Sequence, residues 1–177
     1  MSEQRPIFLL GMMGSGKTSV GRLLAARLGA AFVDLDTRVE LLFGASITSL
    51  FEHGEDHFRA CERTALCSLL REPGFAGAAV VVGTGGGLVA NPANLDDIAA
   101  IGRLVYLELE PGRAAARLSA PEQLAARPLL ERDPAALEQR LTTLLRAREQ
   151  AYRRADLVVD ADAAPDEVAA RVERALR

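Results

Sequence analysis

A chain of 177 residues, 49% of them apolar, can fill one well-buried α/β domain and is short for two, so a single domain over 1–177 is expected. A net charge of −3 supplies no overall positive field, which argues against non-specific binding to nucleic acid or to an anionic membrane surface. Cys61 and Cys67 form no CxxC or Cys/His cluster, and the N-terminus has neither a basic region nor a long apolar run, so a reduced, cytoplasmic location without an anchor is expected.

Ile7 to Leu10 is a short apolar run that ends in Gly11. A glycine-rich turn follows, then Val20, Leu23, Leu24 and Leu28 at helical spacing, with Gly29 closing the helix. Ala31 to Val33 reads as a second buried strand that delivers Asp34 and Asp36 at its carboxyl end. Helical patterns come next, over Thr37 to Phe43 and from about Glu55 to Arg71. A third strand, Ala78 to Val82, runs into Gly83-Thr84-Gly85-Gly86-Gly87, and a fourth spans Leu104 to Leu107. The stretch from about Ser119 to Arg132 is polar, without a strong apolar period, and is a candidate mobile loop. An amphipathic helix from about Pro134 to Tyr152 and a fifth strand, Leu157 to Val159, complete the order. Strands alternating with helices predict a parallel sheet flanked by helices, with ligands at the carboxyl ends of the strands.

Gly11-Met12-Met13-Gly14-Ser15-Gly16-Lys17-Thr18 matches GxxxxGK[ST] between a strand and a helix, the context that gives this motif its meaning. Glycines let the loop curl so that backbone N–H groups point inward, above a helix N-terminus with partial positive charge. Gly14, Ser15, Gly16, Lys17, Thr18 and Ser19 are therefore the expected ATP-phosphate contacts. Of the 21 basic residues, Lys17 is the sole lysine, and it stands where a compact point charge is needed. Thr18 and Asp34 are the candidate Mg²⁺ ligands.

Asp36 could orient an acceptor hydroxyl and take its proton, or merely cap the helix that follows. On the helix near Glu55 to Arg71, Phe58, Cys61, Ala65, Leu66 and Leu69 share an apolar arc; Glu62 lies inside it and Arg59 at its edge. Burying either charge alone costs several kcal/mol, so they pair with each other or meet a charged ligand. Arg148 points the same way as Leu137, Leu141 and Leu144, a place for an arginine that meets an anion or snorkels to the helix edge. Gly85, Gly86 and Gly87 allow a ligand to approach backbone closely. His53 and His57 read as solvated helix-end residues. The residues alone point to phosphorylation of a small molecule that carries hydroxyls and a negative group.

Taken together, GMMGSGKT at Gly11 to Thr18, the DLD at Asp34 to Asp36, F-x-x-G-E-x-x-F-R from Phe51 to Arg59, the triple glycine, R-P-L-L at Arg127 to Leu130 and R-x-x-x-Y at Arg148 to Tyr152 resemble the shikimate kinase family. The resemblance covers nearly the whole chain. It implies ATP-dependent transfer to the 3-hydroxyl of shikimate, on a five-stranded parallel sheet of nucleoside-monophosphate-kinase type with a mobile lid at about 119–132 and acceptor-binding helices at about 36–71. It further implies that Asp36, Arg59, Gly86 and Arg148 bind shikimate with Phe58 and Glu62 in support. Lys17, Asp36 and Arg127 would be catalytic, with Arg127 as the lid arginine. Arg117 would stack on adenine, and the loop near Pro165 would touch the edge of the base. ATP and shikimate are the implied partners of a monomer, with Mg²⁺ as cofactor. The rival readings are another small-molecule kinase of this class, acting on gluconate or a nucleoside monophosphate, and a nucleotide-gated binding protein without turnover.

Overall fold

The computed structural model describes residues 5–120 and 133–177. Five strands, β1 (Ile7–Leu10), β2 (Ala31–Asp34), β3 (Val80–Gly83), β4 (Arg103–Glu108) and β5 (Leu157–Asp160), form one parallel sheet in the order β2-β3-β1-β4-β5. β1 and β3 lie inside the sheet, and Phe8, Leu9, Leu10, Val81 and Val82 are fully buried, as strands covered on both faces require.

The helices are α1 (Lys17–Leu28), α2 (Leu35–Phe43), α3 (Ile47–Glu52), α4 (Glu55–Leu70), α5 (Pro92–Ile101), α6 (Pro111–Leu118), α7 (Pro134–Tyr152) and α8 (Pro165–Leu176). α1 packs on α8 and across β3, α6 on α7, α2 on α4, and α5 against β4. The approach of α1 to the sheet depends on Gly21, where a Cβ would stand 2.4 Å from the Phe32 ring. Gly29 ends α1 in the left-handed region at φ 63, and its N–H, with the expected helix stop, closes the last turn.

Two element starts shift by two residues from expectation. α2 starts at Leu35, not Thr37, because the Asp34 carboxylate caps it by accepting from the N–H groups of Asp36 (3.0 Å) and Thr37 (3.3 Å). β2 therefore stops at Asp34, and Asp36 belongs to the first turn of a helix. β3 begins two residues late, at Val80, after a 3₁₀ turn at Phe75–Gly77 whose C-cap is Ala78.

The register sets the site. Leu9 pairs with Gly83, Leu10 with Tyr106, Asp34 with Gly83, and Glu108 with Asp160, so all five strands finish at one edge. The loops that follow them converge there.

Candidate active site

The loop after β1 is a tight cradle. Gly14 and Gly16 hold φ of 83 and 88, conformations that L side chains rarely adopt, and a Cβ on Gly11 would lie 2.7 Å from the Leu107 carbonyl oxygen. Lys17 opens α1 with its side chain folded back over the loop, Nζ donating to the carbonyls of Gly11 (2.7 Å) and Met12 (2.8 Å). Beside it, Thr18 Oγ1 donates to Asp34 Oδ2 at 2.8 Å. Asp34 thus divides its oxygens, one for the α2 cap and one for Thr18. Two hard oxygens meeting beside a phosphate cradle suit Mg²⁺, which keeps waters and phosphate oxygens as its other ligands. Ser15 is buried in the loop and Ser19 is exposed on the first turn of α1.

Across the edge, the triple glycine after β3 is pinned from several sides. Thr84 is buried and donates its hydroxyl to the Leu9 carbonyl at 2.8 Å. The Gly86 carbonyl accepts from the Tyr152 hydroxyl at 2.6 Å and from Arg148 at 3.3 Å. Asn94, 2% exposed, donates to the Leu88 carbonyl at 3.0 Å.

Charged side chains from α2, α4 and α7 gather over this loop. A Cβ on Gly85 would meet Glu62 Oε1 at 2.3 Å and Asp36 Oδ1 at 3.0 Å; one on Gly87 would meet the Arg59 guanidinium at 2.2 Å. The expected inward pair is made, with Arg59 Nη1 donating to Glu62 Oε2 at 2.9 Å. Arg59 also reaches Glu55 Oε1 at 2.9 Å and lies over the Phe58 ring, which in turn stacks on Phe51 at 4.2 Å. Glu62 is 1% exposed, and its Oε1 accepts no hydrogen bond among the described residues. Burial pushes its carboxyl above the ordinary range; Asp36 adds to the rise while Arg59 and Arg148 oppose it. Asp36, Arg59, Glu62 and Arg148 therefore act on one another as a single charged cluster.

On the far side of the cradle, Arg117 donates to the carbonyls of Ala161 (2.8 Å) and Ala163 (3.2 Å) and more weakly to Gly14 (3.4 Å). It ties the phosphate loop to the segment leading into Pro165, the exposed first residue of α8. His53 and His57 are exposed, as expected. Arg127, R-P-L-L and most of the expected lid lie outside the described residues.

Three contacts went unread in the sequence. Glu55 stands one turn before Arg59, a spacing that signals the pair. Tyr152 stands one turn after Arg148 and shares its target. The Thr84 anchor is tertiary and left no local signal.

Phosphate loop, lysine and threonine at the end of an inner parallel strand, with a carboxylate from the neighbouring strand end, define the class of P-loop kinases. A family model for shikimate kinase matches residues 13–177. The chain is 41% identical to the shikimate kinase of Synechococcus sp. (strain CC9902), covering 93% of this chain and 82% of that protein. It is 38% identical to that of Caldanaerobacter subterraneus subsp. tengcongensis, covering 96% and 94%. A solved shikimate kinase from Acinetobacter baumannii in complex with shikimate superposes with a TM-score of 0.85 at 32% identity, covering 97% of this chain and 92% of that one. The chain belongs to the shikimate kinase family.

Proposed function

We propose that this chain transfers the γ-phosphoryl group of ATP to the 3-hydroxyl of shikimate, giving shikimate 3-phosphate and ADP on the route to aromatic amino acids. The observation that carries the reading is the gathering of Asp36, Arg59 and Arg148 over a glycine loop whose Gly86 packs on the phosphate loop, a Cβ there standing 3.2 Å from Met13 N. Two arginines suit a carboxylate, a carboxylate suits a hydroxyl, and the acceptor they hold would lie beside the phosphates.

In the transfer, the bond from Pγ to the β,γ-bridging oxygen breaks as the bond from Pγ to the acceptor oxygen forms. The hydroxyl proton passes to an Asp36 oxygen. Lys17 exchanges its loop carbonyls for phosphate oxygens. Thr18 and Asp34 would hold Mg²⁺, which would supply neutralisation of phosphate charge. Arg59 and Arg148 clamp the acceptor carboxylate, with Phe58 and Glu62 fixing the orientation of Arg59. Arg117 and the segment near Pro165 flank the base. Arg127 would supply a further cation to the γ-phosphate.

No helix among the described residues is long and apolar enough to cross a membrane. We place the enzyme in the cytoplasm as a monomer that binds neither nucleic acid nor membrane. The test is ADP release with ATP–Mg²⁺ and shikimate, paired with product mass, and with gluconate and nucleoside monophosphates as competing acceptors. Shikimate-dependent turnover with a mass gain of one phosphoryl group is expected. Faster turnover of another acceptor, or no acceptor-dependent turnover, overturns the proposal.

A further inference from the structure

Arg148 and Tyr152 lie one helical turn apart on α7 and donate to the same oxygen, the carbonyl of Gly86. Their bonds are unequal. The phenol approaches to 2.6 Å, at the short end for O–H···O, whereas the guanidinium stands at 3.3 Å, at the long end for N–H···O. Tyr152 is also fixed in place: 1% exposed, its ring stacks on Tyr106 with centroids 4.9 Å apart and planes 6° from parallel. Arg148 is half-buried, also hydrogen-bonds to the Tyr152 phenol, and lies within electrostatic reach of Glu62.

An arginine that is to grip an incoming carboxylate must first let go of what it holds. Where the carbonyl it leaves has no other donor, that departure strands a polar group, and the cost subtracts from substrate affinity. Here the carbonyl has a second, better donor. We propose that Tyr152 is a positioning residue: by satisfying the Gly86 carbonyl itself, it lets Arg148 leave that carbonyl for the acceptor carboxylate, and it keeps the glycine loop in place as Arg148 departs. Burial pushes the phenol up to about 12, with Arg148 opposing, so the donor stays protonated at any working pH. The proposal rests on Arg148 binding the acceptor, as the proposed function holds.

The test is a double-mutant cycle in steady-state kinetics on the full chain, with wild type, Tyr152→Phe, Arg148→Ala and the double variant. Phenylalanine keeps the ring and its stack and removes only the donor. Tyr152→Phe is expected to lower kcat/KM for shikimate about fivefold, through KM more than kcat, with KM for ATP within about twofold of wild type. In the Arg148→Ala background the same change is expected to cost less than about twofold, because no arginine remains to be released. An equal loss in both backgrounds, or a lowered melting temperature with KM unchanged, gives Tyr152 a purely structural role and overturns the proposal. Should Tyr152→Phe fail to fold, both tyrosines can be replaced by 3-fluorotyrosine, a stronger donor of nearly the same shape. KM for shikimate should then fall, and a KM unchanged or raised overturns the proposal. Absence of shikimate turnover in the wild type removes the proposed function and this proposal with it. An additive cycle in an active wild type removes this proposal alone.

Discussion

Lys17 donates to two backbone carbonyls of its own loop, so the cation is already folded over the cradle where the phosphates would lie. Phosphoryl transfer is mainly positioning and charge neutralisation. Lys17→Met is therefore expected to abolish turnover with the melting temperature near wild type, and activity within about tenfold of wild type would remove Lys17 from the mechanism. Asp36 is a separate case, because the cap of α2 comes from Asp34. Asp36→Asn keeps the shape and removes the base, and a kcat loss of about 10²–10⁴ with intact folding is expected; unchanged kcat would leave Asp36 without a catalytic part. Glu62 adds a prediction in pH. Its folded pKa is raised above the ordinary 4.5 by burial, so the native state holds the proton more tightly than the unfolded chain. That contribution to stability is fully present below the ordinary value and is lost as pH rises through the raised one. Chemical denaturation at a series of pH values should accordingly show Glu62→Gln gaining stability relative to wild type as pH rises from about 4.5 towards 7. The opposite trend would mean that Arg59 keeps the carboxyl charged below its ordinary range.

Elements were read from the sequence where a local pattern fixed them. β1 spans Ile7–Leu10 and α7 spans Pro134–Tyr152 as expected, and α4 ends one residue short of the expected stop, since strand length, Pro at the helix start and apolar periodicity are all local signals. The inward faces of α4 and α7 followed from 100° per residue, and with them the burial of Glu62 and the inward position of Arg148. The start of α2 was misread for an instructive reason. The strand expected to deliver both Asp34 and Asp36 ends at Asp34, whose cap starts α2 at Leu35 and so puts Asp36 on the first turn of a helix. The dual duty of Asp34 can be separated. Ser is as good an N-cap as Asp, so Asp34→Ser should keep stability within about 0.5 kcal/mol while lowering kcat, whereas Asp34→Ala should also lose about 1 kcal/mol of helix capping. Equal melting temperatures for the two variants would show that the cap contributes nothing here. What stayed hidden, such as Thr84 on Leu9, joins residues distant in the chain and depends on strand order, which no local period reveals.

At the scale of the whole molecule, the parallel sheet places β1 next to β3, so the phosphate loop that follows one and the glycine loop that follows the other share a wall. Gly86 is that wall. A Cβ on it would stand 3.2 Å from Met13 N and 3.5 Å from the Gly11 carbonyl oxygen, both backbone atoms of the nucleotide cradle that cannot swing aside. Gly87, the next residue, faces the acceptor side alone, and its added Cβ would meet the Arg59 guanidinium at 2.2 Å. Neighbouring glycines thus report on different substrates. Gly86→Ala must displace the phosphate loop or the glycine loop, and either movement changes the distance between the two ligands; KM should rise for both ATP and shikimate, and kcat should fall with them. Gly87→Ala must drive Arg59 off its seat between Glu55 and Glu62, leaving the 1% exposed Glu62 with a weakened partner. Full removal of one partner from a buried pair costs about 3–5 kcal/mol, so a partial displacement should cost less but remain visible in the melting temperature. KM for shikimate should rise at least tenfold by the loss of one clamp arginine, with KM for ATP within about twofold of wild type. Steady-state kinetics with each substrate varied in turn distinguishes the two. If Gly86→Ala moved the acceptor KM and left ATP untouched, the shared wall would not couple the sites, and each loop would have to be treated as an independent binding surface.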